Sequence, residues 1–152
     1  MHIRKATKED VPKIVALLAD DELGKERERF SIPLPQAYWE AFERIHTDPH
    51  QELMVMEDHH GKITGTLQLS FISYLTYRGG KRAQIEAVRI HKNHRGKGFG
   101  EKLLKWAIHR AKENGAHLVQ LTTDKKRQDA LHFYQQLGFT ASHEGMKLHL
   151  LT

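Results

Sequence analysis

A strand, a glycine-rich basic turn and a long helix follow one another between residues 84 and 114, and they constrain the fold more than any other stretch. Strand-forming residues occupy positions 84–90, and the turn carries three alternate glycines, Gly96, Gly98 and Gly100. Because glycine has no Cβ atom, the backbone can turn tightly here and a ligand can reach its N–H groups. The helix that follows directs unpaired N–H groups and the positive end of its dipole at the turn. These features predict a site for a phosphate group.

The spacing of the glycines separates this turn from two common phosphate-binding motifs. The dinucleotide-binding motif needs G-x-G-x-x-G and the P-loop needs G-x-x-x-x-G-K-[ST], and the turn matches neither. It matches R-x-x-G-x-G, with Arg95, Gly98 and Gly100 between a strand and a helix, and Lys97 adds a second positive charge. On these residues alone, an ordinary basic turn that caps a surface helix is an equal alternative.

Length and composition exclude several classes of protein. A chain of 152 residues suits one domain with its own core, so a single domain over residues 1–152 is expected. The chain has no Cys, which excludes disulfides, thiolate metal sites and a cysteine nucleophile that could carry an acyl group. No apolar run has the length of a membrane span, and the first residues lack the apolar core of a signal peptide. A cytoplasmic protein without a membrane partner is therefore expected.

The formal net charge of +5 is a reason to consider a nucleic-acid partner. However, the densest basic cluster coincides with the glycine turn, and it consists of Lys92, His94, Arg95 and Lys97. Charge concentrated at one turn favours a small phosphorylated ligand over an extended nucleic acid. The 12 histidines lack the spacing and the acidic or Cys partners of a metal site. Neither nucleic acid nor metal is therefore predicted.

Hydrophobic periodicity and cap signals predict the element order β-α-α-β-β-β-α-β-α-β-β. The predicted strands are residues 2–6, 52–57, 63–73, 84–90, 117–122, 140–142 and 146–151. The predicted helices start at Thr7, at Pro35, at the glycine turn and near Arg127, and the last one ends at Leu137. The strand before the glycine turn and the strand after its helix are expected to be parallel neighbours, because a crossover helix joins them.

A second motif lies on the last predicted helix, where Ala130, Phe133, Tyr134, Gly138 and Phe139 spell A-x-x-F-Y-x-x-x-G-F. Together with the glycine turn, this motif resembles the signature of the GNAT superfamily of acetyltransferases. The predicted element order is similar to the whole GNAT fold, so the resemblance covers essentially the full chain. It implies an α/β (α+β) fold with a mixed, mostly antiparallel sheet, a parallel βαβ pair and about four helices.

The resemblance also implies an activity. A GNAT enzyme moves an acetyl group from acetyl-CoA to a primary amine by direct transfer in a ternary complex. The amine belongs to a small molecule or a peptide, and a homodimer is compatible with the family. A non-catalytic sensor or regulatory module that binds acyl-CoA is the alternative.

In relatives the pantetheine arm inserts between two splayed strands, which here correspond to residues 87–90 and 119–123. By resemblance, backbone groups of Val88 and Ile90 bind the arm, and the N–H groups of residues 95–100 bind the pyrophosphate. The full set of implied cofactor-binding residues is Val88, Arg89, Ile90, Arg95, Gly96, Lys97, Gly98, Phe99, Gly100, Asp124, Arg127, Ala130 and Phe133. Asp124 departs from the Asn that many relatives carry, which puts a cofactor hydrogen bond at that position in doubt.

Two residues are expected to carry the chemistry. Glu86 is expected to share a strand face with apolar neighbours, and partial burial would suit it to act as a general base for the ammonium, directly or through water. A structural Glu that pairs with an Arg is the alternative. Tyr134 lies on the inward stripe of the last helix, where a core tyrosine is the ordinary interpretation. The resemblance instead implies that its hydroxyl protonates the departing thiolate. The loop residues Asp20 and Asp21 could attract a cationic amine or could simply be solvated.

Overall fold

Five segments of the chain form one mixed sheet in the computed structural model, which describes residues 1–151. The strands are β1 (His2–Lys5), β2 (Gln51–Glu57), β3 (Ile63–Ser73), β4 (Lys81–Ile90) and β5 (Leu118–Gln120). They lie in the order β1-β2-β3-β4-β5. The first three pairings are antiparallel, and β4 pairs with β5 in parallel. The predicted mixed sheet with one parallel βαβ pair is confirmed.

Six α-helices accompany the sheet within residues 1–151. They are α1 (Val11–Ala19), α2 (Gly24–Arg27), α3 (Gln36–Thr47), α4 (Thr76–Gly79), α5 (Phe99–Glu113) and α6 (Gln128–Gln136). α2 and α4 are single turns within segments that we expected to be loops, and the four longer helices match the prediction. No helix among residues 1–151 is both long and apolar enough to cross a membrane.

The described residues form two compact units. One extends from Met1 to Gln120, and the other begins at Leu121 and contains α6. The whole sheet and the glycine turn belong to the first unit. The expectation of a single domain for the whole chain stays a prediction.

One part of the core of the first unit lies between the sheet and α5, where five side chains are 0% exposed: Met56, Leu67, Leu69, Leu103 and Leu104. Val55 belongs to a second cluster, on the other face of the sheet, with buried residues of α1 and α3. Each such aliphatic side chain stabilises the fold by about 1.5–3 kcal/mol relative to leaving it in water. Arg110 of α5 also donates three hydrogen bonds to the carboxylate of Glu52 on β2, at 2.6, 2.8 and 3.1 Å. Packing and this ion pair together fix α5, and therefore its N-terminal turn, against the sheet.

The predicted start of the first helix is stabilised by one carboxylate. Asp10 accepts hydrogen bonds from the backbone N–H of Thr7 at 2.8 Å and from Arg4 Nη1 at 2.7 Å. Arg4 also donates through Nε to Glu57 on β2, at 3.0 Å. Burial alone would raise the pKa of Asp10, but the hydrogen bonds from Arg4 and Thr7 outweigh burial and lower this pKa. The cluster joins the start of α1 to two strands.

The pairing of β4 with β3 contains a bulge. The register passes from Gln68 opposite Glu86 to Thr66 opposite Arg89, so β4 has one residue more than β3 in this interval. Ala87 lies in the bulge with a left-handed φ of 56°. An extra residue bends a strand and increases its local twist. The bulge therefore changes the course of β4 immediately after Glu86.

Two sequence predictions about strands are wrong. Residues 140–142 and 146–151 form no strand, and β5 covers three residues instead of the six predicted. Met146, Leu148 and Leu150 alternate with polar residues, as in a strand with one covered face. These side chains are instead 94%, 86% and 85% exposed, so no burial stabilises that face. Alternation predicts a strand only where its apolar side is covered.

Candidate acyl-CoA site

The glycine turn has the geometry of an open anion site. Gly96 and Gly98 have φ of 74° and 83°, in the left-handed region that side chains disfavour. A Cβ atom built on either glycine would meet nothing within 4 Å, so the space in front of the backbone is free of protein. Gly98 is the N-cap of α5, and no side chain caps this end; Phe99 and Gly100 form the first turn. The first N–H groups of a 15-residue helix are thus available to a ligand.

The two cations of the turn bind backbone carbonyl groups. Arg95 donates through Nε to the carbonyl of Ile90 at 3.0 Å and through Nη2 to that of Asp20 at 3.2 Å. Lys97 donates to the carbonyl of Asn93 at 3.1 Å. Both side chains therefore fix the shape of the turn, and their charges stay next to it, where an anion is favoured.

A 3₁₀ turn, Lys92–His94, joins β4 to the glycine turn. Nδ1 of His91 accepts a hydrogen bond from the N–H of Asn93 at 3.2 Å, which requires an unprotonated ring nitrogen. The pKa of His91 is lowered, first by burial and then by the positive charge of Lys62. A neutral His91 thus caps the segment that leads into the glycine turn.

β4 extends beyond its pairing with β5. The last pair of the parallel ladder is Gln84 with Gln120, and residues 85–90 of β4 lie past it. Val88 and Ile90, the predicted backbone contacts of the pantetheine arm, lie in this part of the strand. Arg89 Nη1 donates to the carbonyl of Val88 at 2.8 Å, so that carbonyl already has a partner in the protein. The parallel ladder therefore ends before residue 85. The insertion of a pantetheine arm beside residues 87–90 stays a prediction.

The expected partial burial of Glu86 is wrong. Its side chain is exposed, because it precedes the bulge at Ala87 and lies on the face of β4 opposite the buried Ala83 and Ile85. Within residues 1–151, Glu86 forms no ion pair, so the interpretation as a salt-bridged structural Glu is not supported. One of its oxygens accepts a hydrogen bond from Gln84 Nε2 at 3.1 Å.

Three residues around Glu86 were missed by sequence reasoning. Arg82 and Gln84 precede Glu86 at alternate positions of β4, and Gln120 is the partner of Gln84 on β5. Their side chains are joined end to end by hydrogen bonds. The pattern R-x-Q-x-E at residues 82–86 was a signal for a polar strand face, but the contribution of Gln120 depends on the register of β5, which the sequence does not reveal.

Asp21 stabilises the first unit instead of facing solvent. Its Oδ2 accepts from the N–H of Gly24 at 3.1 Å and lies 3.4 Å from Arg89 Nη2. Arg27 Nη2 lies 3.9 Å from the same oxygen. The carboxylate therefore joins α2 to β4, and with it the segment between α1 and α3.

Five predicted residues lie in the second unit: Asp124, Arg127, Ala130, Phe133 and Tyr134. Asp124 Oδ1 accepts from the N–H of Lys126, and its carbonyl accepts from that of Arg127, both at 2.9 Å. Asp124 thus holds the turn that leads into α6. The ring of Tyr134 meets those of Phe133 and Phe139 edge-on, at centroid distances of 5.3 and 6.0 Å. The A-x-x-F-Y motif therefore supplies an aromatic cluster on α6.

Comparison with known proteins identifies the family. Residues 16–139 match the model of the Acetyltransferase (GNAT) family. The chain is 31% identical over 143 residues to the aminoalkylphosphonate N-acetyltransferase of Salmonella typhimurium, an alignment that covers 93% of this chain and 86% of the relative.

Two solved structures are similar over nearly the whole chain. One, described as a transcriptional regulator from Bacillus halodurans C-125, has a TM-score of 0.95 and 54% identity, covering 98% of this chain and 99% of the other. Another, a predicted acetyltransferase with acetyl-CoA from Clostridium acetobutylicum, has a TM-score of 0.75 and 22% identity, covering 98% and 96%, which shows a common fold. The glycine turn, the end of the parallel ladder and the aligned relatives lead to one conclusion: the chain belongs to the GNAT family and is an acyltransferase that acts on amines.

Proposed function

We propose that this protein transfers an acetyl group from acetyl-CoA to a small primary amine that also carries an acidic group. The assignment of acetyl-CoA as the acetyl donor rests on the open, left-handed glycine turn at the N-terminus of α5. A Cβ at Gly96 or Gly98 would occupy the space that the pyrophosphate of CoA needs. Residues 85–90 of β4, past the parallel ladder, offer backbone groups to the pantetheine arm. We infer the class of acceptor from the relative that is named an aminoalkylphosphonate N-acetyltransferase, because an aminoalkylphosphonate carries both an amine and an acidic phosphonate.

The proposed chemistry assigns one task to each group. Glu86 accepts a proton from the ammonium of the acceptor, directly or through water, which frees the nitrogen lone pair. The N–H of Val88 donates to the thioester oxygen as negative charge develops there. The nitrogen forms a bond to the carbonyl carbon, the carbon–sulfur bond breaks, and Tyr134 donates its proton to the departing thiolate. The nitrogen loses its second proton as the amide forms, and that proton restores the phenol of Tyr134 through solvent. The chain has no Cys to carry the acetyl group, which supports direct transfer.

Steady-state kinetics tests this proposal. Acetyl-CoA is varied at several fixed concentrations of each amine in a panel that includes aminoalkylphosphonates, amino acids, simple alkylamines and short peptides. Direct transfer predicts intersecting double-reciprocal lines, and acid-bearing amines should give the highest kcat/KM. Parallel lines would indicate a covalent acetyl-enzyme and would contradict direct transfer. A preference for neutral alkylamines would contradict the proposed acceptor class.

A regulatory role is the second candidate, because the structure with 54% identity is described as a transcriptional regulator. In that role the net charge of +5 would serve a DNA partner, and acyl-CoA would be the signal. The affinity for DNA should then fall steeply with salt, in proportion to the number of phosphates contacted. If free CoA, which lacks the acyl signal, displaces DNA as well as acetyl-CoA does at a fixed salt concentration, the DNA competes for the positive charge of the glycine turn, and the regulatory role is contradicted.

A further inference from the structure

We propose that Arg82, Gln120 and Gln84 form a hydrogen-bond chain, the amide relay, that positions the carboxylate of Glu86; this rests on Glu86 acting as the general base. Arg82 Nη1 donates to Gln120 Oε1 at 3.2 Å. Gln120 Nε2 donates to Gln84 Oε1 at 2.7 Å, and Gln84 Nε2 donates to Glu86 Oε1 at 3.1 Å. All four side chains belong to the first unit, on β4 and β5.

The two ends of the amide relay fix the orientation of both amides. A guanidinium can only donate hydrogen bonds, so Gln120 must present its oxygen to Arg82 and its NH₂ to Gln84. An ionised carboxylate can only accept, so Gln84 must present its NH₂ to Glu86. Rotating either amide by half a turn would place donor against donor or acceptor against acceptor. The relay therefore has a single satisfied arrangement, in which Oε1 of Glu86 accepts from Gln84.

Aromatic rings hold the cation at the start of the relay. The guanidinium of Arg82 lies 4.8 Å from the ring centre of Tyr74 and 5.5 Å from that of Tyr77. Tyr77 in turn stacks on His117, with the ring centres 4.8 Å apart. A Cβ at Gly80 would lie 2.6 Å from the His117 ring, so only glycine fits beside this stack. Cation–π contacts and stacking leave Arg82 with little freedom to leave Gln120.

The other end of the relay determines what Glu86 can do. Gln84 occupies Oε1, and no residue between 1 and 151 forms a hydrogen bond with Oε2. The left-handed Ala87 follows directly and begins the bulge. An exposed carboxylate on a strand would ordinarily rotate, but the amide holds one oxygen and so directs the other. The relay thus positions a proton acceptor that burial does not hold in place.

Substitution of Gln84 tests the relay. Gln84→Ala removes both of its hydrogen bonds, and kcat should fall about 10- to 100-fold, the cost of a misplaced reacting group. The KM for acetyl-CoA should change little. Lys81→Met is the matched control: it removes two hydrogen bonds to Asn114 from the same strand, and kcat should not change.

The polarity of the relay is tested at Arg82. Arg82→Lys keeps a donor-only cation and should retain most of the activity, whereas Arg82→Met should reproduce the loss seen in Gln84→Ala. In ¹⁵N-labelled protein, Arg82→Met should also shift the side-chain NH₂ signals of Gln84, two hydrogen bonds away. If Arg82→Met leaves those signals and kcat unchanged, the relay is overturned.

A double-mutant comparison separates this proposal from the assignment of Glu86. Glu86→Gln should lower kcat, and adding Gln84→Ala to it should cause no further loss, because the relay acts only through Glu86. A full additional loss would show that Gln84 acts elsewhere and would overturn the relay, while the role of Glu86 stands. If Glu86→Gln alone keeps the wild-type kcat, Glu86 is not the general base, and the proposed relay is overturned together with that assignment.

Discussion

Gly98 is the residue at which the proposed pyrophosphate site is tested most simply, because it has no side chain. Its φ of 83° would strain any other residue, yet a Cβ there meets no protein atom. Gly98→Ala should therefore lower the free energy of unfolding by about 1–2 kcal/mol through backbone strain alone. We also expect the affinity for CoA, measured by calorimetry, to fall about tenfold or more, which corresponds to about 1.4 kcal/mol or more.

Gly115 provides the control for Gly98. It lies just beyond the other end of α5, with φ of 78° and nothing within 4 Å of a Cβ. Gly115→Ala should lose similar stability but keep its affinity for CoA. Equal affinities in the two variants would show that the turn at Gly98 does not contact the pyrophosphate.

Tyr134 is the second test at the scale of a residue. Tyr134→Phe keeps the ring that packs against Phe133 and Phe139 and removes only the hydroxyl. If the phenol protonates the thiolate, the chemical step should slow by about 10²–10⁴-fold with little change in acetyl-CoA binding. Rapid-quench measurement of a single turnover checks this. An unchanged chemical step would reduce Tyr134 to a packing residue.

Residue identity predicted the glycine turn but not the surroundings of Glu86. Alternate glycines and basic residues are local signals, so the sequence sufficed for the turn around Gly98. The exposure of Glu86 depends on the bulge at Ala87, a left-handed non-glycine residue that no propensity indicates. The amide relay depends on the register between Gln84 and Gln120, which lie 36 residues apart. Contacts of this kind are set by tertiary pairing.

At the scale of elements, the start of α1 depends on Arg4. Asp10 is buried and keeps its charge because Arg4 and Thr7 bind it. Arg4→Met should lower the free energy of unfolding by about 1–3 kcal/mol, since Asp10 loses its charged partner. Lys25→Met is the control: its ion pair with Glu22 is exposed, at 56% and 91%, and should contribute little. Urea unfolding at pH 7 compares the two variants.

The same cluster predicts a dependence on pH. The pKa of Asp10 is lowered from its ordinary value of 3.8, so the folded state holds this proton less tightly than the unfolded chain does. Its contribution is therefore complete above about pH 4 and is lost as the pH falls below that value. Because Arg4→Met removes the main stabilising partner, its unfolding free energy should fall less than that of the wild type between pH 5 and about pH 3. An identical fall in both proteins would show that Asp10 does not carry this dependence.

The sequence predicted the longer helices and the long strands correctly, but it did not predict the structure of residues 140–151. The glycine turn, the cap at Thr7 and Pro35 marked helix starts that the structure confirms to within a few residues. The predicted strands at 140–142 and 146–151 are absent, and the alternating apolar side chains Met146, Leu148 and Leu150 are exposed. Alternating apolar residues place their side chains on one face of a strand. Whether another element covers that face depends on the whole fold.

At the scale of the molecule, the first unit contains the open glycine turn at the start of α5, where we propose that the pyrophosphate binds, and β4 contains Glu86, the proposed base. The most direct test of the account is one mass-spectrometric measurement, made after mixing the protein with acetyl-CoA and 2-aminoethylphosphonate or another acid-bearing amine of the panel. We predict an N-acetylated amine and free CoA in equal amounts, with the amounts reduced in Glu86→Gln and Gly98→Ala. Acetyl-CoA that binds the protein but yields no acetylated product from any amine of the panel would contradict the account.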